Sequence, residues 1–344
     1  MGTPPPVPDR PTVSVIVPAR NEQACLGACL ESLVSQQGIS KEILVVDDNS
    51  TDRTRQIALS FPAVKVIEPG ALPPGWSGKN NAVSAGARQA RGQWLLFTDA
   101  DTVHKPGSLA RAVDEARQHQ VDLLSYSPEQ EVHGFWEKAI MPVIFAELAR
   151  KYPPSKISDF SSNLAAANGQ YLLISREAYD AVGGHAAVAR SLLEDVALAR
   201  AVRDASRRIR FRYGGDAVCT RMYRGFQQLR EGWTKNLSLL FPAAVLLALM
   251  RALEFLLVVA CLVFSGWFAL AGDWWRAILY LAFPALTVAR IATAHFSWSS
   301  NFLGILGLPM FSYLLLRSRA RHAHGTVSWK GRTYPGGASI KPLS

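Results

Sequence analysis

The sequence predicts an α/β fold, a doubly wound and mainly parallel sheet, followed by an α-helical membrane region. Three observations predict it. Short apolar strand-like runs alternate with helix-spaced runs as far as Tyr213. Acidic residues stand directly behind two of those runs, at Asp47-Asp48 and Asp99-Ala-Asp101. From Leu237 onward the chain turns strongly apolar, with no polar face to show to water.

Residues 1–12 form a Pro-rich lead. Val13 to Val17 is a strand ended by Pro18, and residues 23–37 carry Ala24, Leu26, Cys29, Leu30 and Leu33 at helical spacing. Glu42 to Val46 is the next strand, ending at Asp47. A helix over 52–60, a strand over 64–67, a helix over 79–91 and a strand over 93–98 follow. The strands are continuous Val/Ile/Leu runs, as parallel strands covered on two faces require. Ligands of such sheets bind beyond the carboxyl ends of the strands, where Pro18, Asp47 and Asp99 lie. A helix over 106–119, a strand over 121–126, a strand over 171–174, a helix over 194–205 and a strand over 208–213 complete the pattern. Residues 135–151 read as a helix with an apolar centre, either lying on a bilayer surface or buried in a core.

The expected organisation is a lead over 1–12, a catalytic domain over 13–236, a membrane region over 237–316 with about three or four apolar helices, and a basic tail over 317–344. Residues 252–271, 274–293 and 301–316 are each near spanning length, and 237–250 is shorter. Arg251, Glu254, Asp273, Arg276 and Arg290 fall near proposed ends, and Trp267, Trp274, Trp275, Trp298 and Tyr313 suit interface belts. Arg317, Arg319, Arg321, Lys330 and Arg332 belong on the cytoplasmic side. Three spans from a cytoplasmic domain would put them outside, so either 237–250 also enters the membrane or one longer run does not cross. The net charge is +10, and after Asp273 there are eight Lys or Arg and no Asp or Glu. A basic, apolar end points to a membrane surface, and no nucleic-acid motif accompanies it. The N-terminus has no apolar signal region, so the first domain is expected in the cytoplasm, anchored at a bacterial inner membrane. Cys25, Cys29, Cys219 and Cys261 have no metal-site spacing and read as ordinary thiols.

Asp99 and Asp101 stand one residue apart behind Trp94-Leu-Leu-Phe-Thr98, and two such carboxylates can share a divalent cation with phosphate oxygens. Pro18-Ala-Arg-Asn-Glu22 forms a loop suited to a base and ribose. Asp47 and Asp48 read equally as acceptors for a nucleoside or as part of a turn and helix cap. Lys79, between a glycine turn and a helix, reads as a phosphate ligand or as a solvated surface charge. Gly169 marks a turn or a close backbone approach. Glu194-Asp195 opens a helix. Taken alone the pair would serve the helix dipole, but in company with Asp99 and Asp101 it supplies a base for a hydroxyl. Gln227, Arg230 and Trp233 follow at helical spacing, with Arg230 placed to stabilise a leaving diphosphate and Trp233 to pack on an acceptor.

Together these residues, in order and spacing over roughly residues 12–235, resemble family 2 glycosyltransferases of the GT-A fold. The resemblance implies that Pro18, Ala19, Glu22 and Asp47 or Asp48 hold the nucleotide. It implies that Asp99 and Asp101 bind the donor phosphates with Mg²⁺ or Mn²⁺, and that Asp195 of the acid pair is the base. Gln227-x-x-Arg230-x-x-Trp233 departs from the tighter (Gln/Arg)-x-x-Arg-Trp of that family by Glu231-Gly232. Gly75-Trp-Ser-Gly-Lys79, Gly183-Gly-His185 and Trp329-Lys-Gly-Arg332-Thr-Tyr334 are similar to membrane-bound lipid glycosyltransferases of the ceramide, hopanoid and carotenoid groups, with His185 and Arg332 near acceptor or donor phosphates. The implied reaction is inverting transfer from a nucleotide-sugar, UDP favoured over GDP, to a lipid hydroxyl. The rivals are transfer to polyprenyl phosphate, a processive polysaccharide synthase, and a non-catalytic nucleotide-sugar-binding protein.

Overall fold

The computed structural model describes residues 10–325, 327–329 and 332–334. All but the last three residues of the expected lead lie outside the described residues, as do Lys330 and the tail beyond Tyr334. The chain divides into two compact units, residues 1–129 with 154–220, and residues 130–153 with 221–344.

In the first unit the chain runs β1 (Val13–Ala19), α1 (Leu26–Val34), β2 (Lys41–Asp47), α2 (Thr54–Leu59), β3 (Val64–Ile67), α3 (Gly78–Gln89) and β4 (Trp94–Phe97). After β5 (Thr102–His104), α4 (Ser108–Gln118) and β6 (Leu123–Ser127), its first segment ends at Glu129, the first residue of β7 (Glu129–Gln130). The main sheet has the order β3-β2-β1-β4, continued by three later strands. β1 pairs in parallel with β2 and with β4, which aligns Ala19 with Asp47 and Ile16 with Phe97. The carboxyl ends that carry Pro18, Asp47 and Asp99 are therefore neighbours. Val13, Val15, Ile16 and Val17 are fully buried, the condition that their unbroken apolar run requires.

The second unit opens with α5 (Phe135–Lys151). The chain then returns to the first unit through α6 (Pro154–Ser158), β8 (Leu172–Ser175), α7 (Arg176–Ala181), α8 (Gly184–Ala187), α9 (Glu194–Asp204), β9 (Ile209–Tyr213) and β10 (Val218–Thr220). β8 lies antiparallel between β4 and β6, and β6 pairs in parallel with β9, so the seven-stranded sheet is mixed and mainly parallel. β5 and β10 form a small antiparallel pair that sequence reading missed, because three residues are too few to show a period. The expected helices shorten by one to three residues at most ends, as capping turns take over.

The second unit continues with α10 (Phe226–Leu240), α11 (Ala244–Leu270), α12 (Trp274–Ala292) and α13 (Trp298–Ala323), then a hairpin of β11 (Val327–Trp329) and β12 (Arg332–Tyr334). Of the two readings left open for residues 135–151, the buried one describes the centre of α5. Ala139, Ile140, Met141, Val143 and Ile144 are at most 2% exposed, and a Cβ on Gly307 of α13 would collide with the Ala139 carbonyl. Residues 237–250 are not an element of their own. α10 stops before Pro242, and 244–250 form the first turns of α11. α13 runs past the expected 316 through Arg317, Arg319 and Arg321.

Helices α11, α12 and α13 are long and apolar enough to cross a membrane. They differ in how much surface they leave exposed: 22% and 28% of the apolar stretches of α11 and α12 are buried, against 50% for α13. At one end of the α11–α12 pair lies a buried ionic cluster. Glu147 of α5 accepts from Arg290 at 2.7 Å and pairs ionically with Arg251 at 3.1 Å, and Glu254 accepts from Arg290 at 3.0 Å and Thr287 at 3.2 Å. In sequence Arg251, Glu254 and Arg290 looked like span ends. In the fold they tie three helices, and removing one partner would strand an opposite buried charge.

Candidate active site

The site assembles in the first unit from the ends of β1 and β4, the start of α3, the turn before β8 and the start of α9. Pro18, Lys79, Asp99, Gly169, Glu194 and Asp195 line one small cleft open to solvent, and His185 completes a wall. Of the residues singled out in sequence, the structure brings these together. Ala19, Asp47 and Asp48 sit buried at the adjoining strand ends, outside the cleft lining.

Local bonding explains why each carboxylate is where it is. The turn carrying Asp99 and Asp101 is braced from below by residues that sequence reading did not single out. Thr98 Oγ1 donates to the Gln170 carbonyl at 2.7 Å, and Thr102 Oγ1 donates to the Asp99 carbonyl at 2.7 Å. The His104 Nε2 lies 3.1 Å from Thr98 Oγ1, and burial pushes this imidazole down to about 3, so it is neutral. Thr98 behind an apolar strand was the available signal. On the neighbouring loops, Asn21 Oδ1 accepts from Thr51 N–H at 2.8 Å, and Glu22 N–H donates to Thr54 Oγ1 at 2.7 Å. Asp47 Oδ1 accepts from Ser50 N–H at 3.2 Å, so Asp47 closes a turn. The α2 start is served by Asp52, whose Oδ1 accepts from Thr54 N–H at 2.9 Å.

Lys79 is the centre of the charge arrangement. Ser77 caps α3 by accepting from Asn80 N–H at 3.1 Å, and the Asn80 amide donates to the carbonyls of Ala189 at 2.8 Å and Ser191 at 3.0 Å. This clamp fixes the residue before Asn80. Lys79 Nζ then lies 2.9 Å from Asp99 Oδ1 and 2.8 Å from Glu194 Oε1. Burial opposes its charge, but Asp99, Glu194 and Asp195 outweigh that and hold the ammonium well above its ordinary range. Lys79 is thus a paired charge, with its side chain 35% exposed.

Asp195 Oδ2 accepts from Gly169 N–H at 2.9 Å, and its Oδ1 from Val196 N–H at 2.8 Å. Its carboxyl is pushed up to about 6, first by burial and then by the charge of Glu194, against the opposing pull of Lys79. Gly169 is the close approach that the sequence marked. A Cβ there would stand 3.1 Å from Lys79 Nζ and 3.4 Å from Asp195 Oδ2. Gly169→Ala is therefore expected to fold normally, displace the ammonium and lower turnover by about tenfold, the cost of a small misplacement at a reacting centre. Melting temperature beside steady-state rates checks this, and an unchanged rate would show that the ammonium's place is not critical.

Gln227, Arg230 and Trp233 belong to the second unit. Gln227 is exposed and Arg230 half-buried. Trp233 is 3% exposed, its Nε1 3.4 Å from Met141 Sδ and its ring edge-on to Phe145. Within its unit the indole packs on protein, because Glu231-Gly232 carry it to the buried face of α10.

The carboxylates that this turn would offer to a cation are those of Asp99 and Asp101. Among the described residues no group of three or more His, Cys, Asp or Glu suits a metal by itself. Hard oxygen donors in this number fit Mg²⁺ or Mn²⁺, which complete their shells with substrate phosphates and water.

The chain is 28% identical over 351 residues to 4,4'-diaponeurosporenoate glycosyltransferase of Staphylococcus aureus strain MRSA252, covering 94% of this chain and 88% of the relative. The same enzyme of strain USA300 matches with equal identity and coverage. A mannosyltransferase from Pyrobaculum calidifontis, solved with GDP-Man and Mn²⁺, superposes with a TM-score of 0.52 at 19% identity, covering 91% of this chain and 87% of that one. That likeness bears on the fold, which is of the GT-A type. Residues 14–193, more than half of the chain, match the family described as glycosyl transferase family 2, and the chain belongs to that family.

Proposed function

We propose that the protein transfers a sugar from a nucleoside-diphosphate sugar to the hydroxyl of a membrane lipid, with inversion at the anomeric carbon and with Asp195 as general base. One observation carries this reading: a carboxyl with its pKa near 6 stands in the same cleft as Asp99 and Lys79. A base titrating near the working pH is what removing a hydroxyl proton needs. Mg²⁺ or Mn²⁺ held by Asp99 and Asp101 would draw charge from the departing diphosphate. Lys79 offers a fixed positive charge to the same phosphates, and Glu194 holds Lys79 and raises Asp195. Pro18, Ala19, Glu22 and Asp47 or Asp48 are assigned to the nucleoside on their place beside the cleft. Gln227 and Arg230 are assigned to the leaving diphosphate on the sequence motif alone, and Trp233, buried against Met141 and Phe145, is not assigned to the acceptor. The name of the relatives supports a carotenoid-type lipid acceptor, and the mannosyltransferase complex supports a nucleotide-sugar with Mn²⁺.

We place α11 and α12 across a bacterial inner membrane as a hairpin, with α13 kept at the cytoplasmic side. From Glu254 to Leu270 α11 rises roughly 25 Å, close to the hydrocarbon thickness, and the ionic cluster then lies at the cytoplasmic interface. Two crossings return the basic end of α13 to the cytoplasm, which removes the parity conflict. A reporter fused after Ser344 is expected to be active in the cytoplasm, and periplasmic activity would overturn the hairpin.

The test of function is donor turnover by the detergent-solubilised full chain with Mn²⁺ or Mg²⁺, a panel of nucleotide-sugars and total membrane lipid. A glycolipid is the expected product. Nucleotide bound without turnover in any pairing would favour a non-catalytic binding protein. The rate should fall as pH drops through about 6, since only ionised Asp195 accepts a proton. Lys79 lowers the Asp195 pKa, so Lys79→Met should move that acid limb upward by roughly one pH unit, on top of weaker phosphate binding. A limb that stays in place would remove Asp195 as its origin.

A further inference from the structure

We infer that His185 determines donor-sugar specificity: its Nε2–H is presented as a neutral hydrogen-bond donor to a hydroxyl of the sugar being transferred. The inference rests on the proposed reaction and deepens it.

The ring is 2% exposed, yet it forms a wall of the cleft that holds Asp99, Gly169 and Asp195. Its proton can be placed from the bonding around it. The Tyr179 hydroxyl oxygen accepts from the His185 backbone N–H at 3.1 Å and lies 3.0 Å from His185 Nδ1. A phenol has one proton to give, and a buried hydroxyl needs an acceptor. Among the described residues Nδ1 is the acceptor at hand for Tyr179. Nδ1 therefore accepts, and a neutral imidazole in that arrangement carries its proton on Nε2. Burial pushes the imidazole down to about 4, so the ring is neutral at pH 7. Nε2 makes no hydrogen bond among the described residues.

The ring plane is fixed as well as its tautomer. Phe97 meets it edge-on, with centroids 4.6 Å apart. Gly184 has φ +54°, and a Cβ there would stand 2.5 Å from the Tyr179 ring. The glycine lets the phenol reach Nδ1. A residue that merely filled space would need neither the tautomer nor the glycine.

The chemistry selects the ligand group. Phosphates in this cleft meet the Lys79 ammonium, which is the stronger partner for an anion. A neutral N–H suits the neutral oxygen of a sugar hydroxyl, and the reacting sugar must lie beside Asp195. Sites that hydrogen-bond a substrate hydroxyl discriminate against analogues lacking it, because a buried donor is left unpaired.

The experiment compares affinities of the full chain in detergent with Mn²⁺ by calorimetry, using UDP-glucose, UDP-galactose and UDP, or GDP-mannose and GDP. His185→Phe fills the space without a donor, and His185→Gln keeps an N–H. His185→Phe is expected to weaken the nucleotide-sugar about tenfold and leave the nucleoside diphosphate unchanged, with His185→Gln recovering part of the loss. Tyr179→Phe, which frees the tautomer, should weaken the nucleotide-sugar by a smaller factor and again spare the diphosphate. Equal weakening of the two ligands, or no weakening of either, would overturn the inference while the proposed reaction stood. Failure of the wild type to bind any of these ligands would overturn the inference and the proposed reaction together.

Discussion

Asp195→Asn should leave nucleotide-sugar affinity close to that of the wild type and lower glycolipid formation by about 10²–10⁴-fold, the usual worth of a positioned base. Asparagine keeps the shape and an oxygen that can accept from Gly169 N–H at the present 2.9 Å. It cannot take a proton. The same change should not lower stability. Asp195 has its pKa raised above the unfolded value, so the fold favours its protonated form. The stabilisation from that proton is present below the ordinary carboxylate pKa and is lost as pH rises through about 6. At neutral pH the ionised side chain is a cost that asparagine removes, so melting should be unchanged or slightly higher. Such opposition between stability and activity is common where a site stores unfavourable charge. Parallel measurement of binding, turnover and melting separates the outcomes. Turnover retained within a few-fold would mean an acceptor that is already anionic, a polyprenyl phosphate or a lipid carboxylate, for which no base is needed.

The second large effect concerns Asp99 and Asp101. Replacing each with Asn should weaken Mn²⁺-dependent binding of the nucleoside diphosphate by about 10²-fold or more, since a bound cation is worth several kcal/mol to phosphate charge. The braced turn should survive, because Thr98, Thr102 and Gln170 hold it through side-chain hydroxyls and main-chain carbonyls, not through the carboxylates. Titration with and without Mn²⁺ is the measurement. If the double variant responded to Mn²⁺ as the wild type does, these two carboxylates would not be the ligands. Thr98→Val tests the brace from the other side. It removes the bonds to Gln170 and His104 while leaving every charge, so it should loosen Mn²⁺ affinity by a smaller factor.

Much of this was legible because the signals are local. Unbroken runs such as Val13 to Val17 and Trp94 to Phe97 announce strands buried on two faces, and the polar residue behind each marks a carboxyl end. Asp99, Asp101, Glu194, Asp195 and Lys79 stood out as candidates by type and setting, and all but Asp101 line one cleft in the fold. Other features lacked a local signature. β5 and β10 are three residues each and acquire strand geometry only by pairing with each other. The centre of α5 is as apolar as a surface-bound helix, and only Gly307 packing onto it shows that it is buried. Thr102 and His104 lie between the expected strand over 93–98 and helix over 106–119, and Asn80 opens an expected helix, yet each is buried.

The sequence alone determined the kinds and order of elements, the carboxylates available for chemistry and the apolar lengths that a membrane can accept. These depend on hydrophobic period and residue type over a few neighbours. Tertiary structure decided which charges meet. It set Lys79 between Asp99 and Glu194, raised Asp195 through burial, turned Glu147, Arg251 and Arg290 into one buried cluster, and fixed the His185 proton through Tyr179. Those outcomes rest on distance and on exclusion of water between residues far apart in the chain, which only the packed fold specifies.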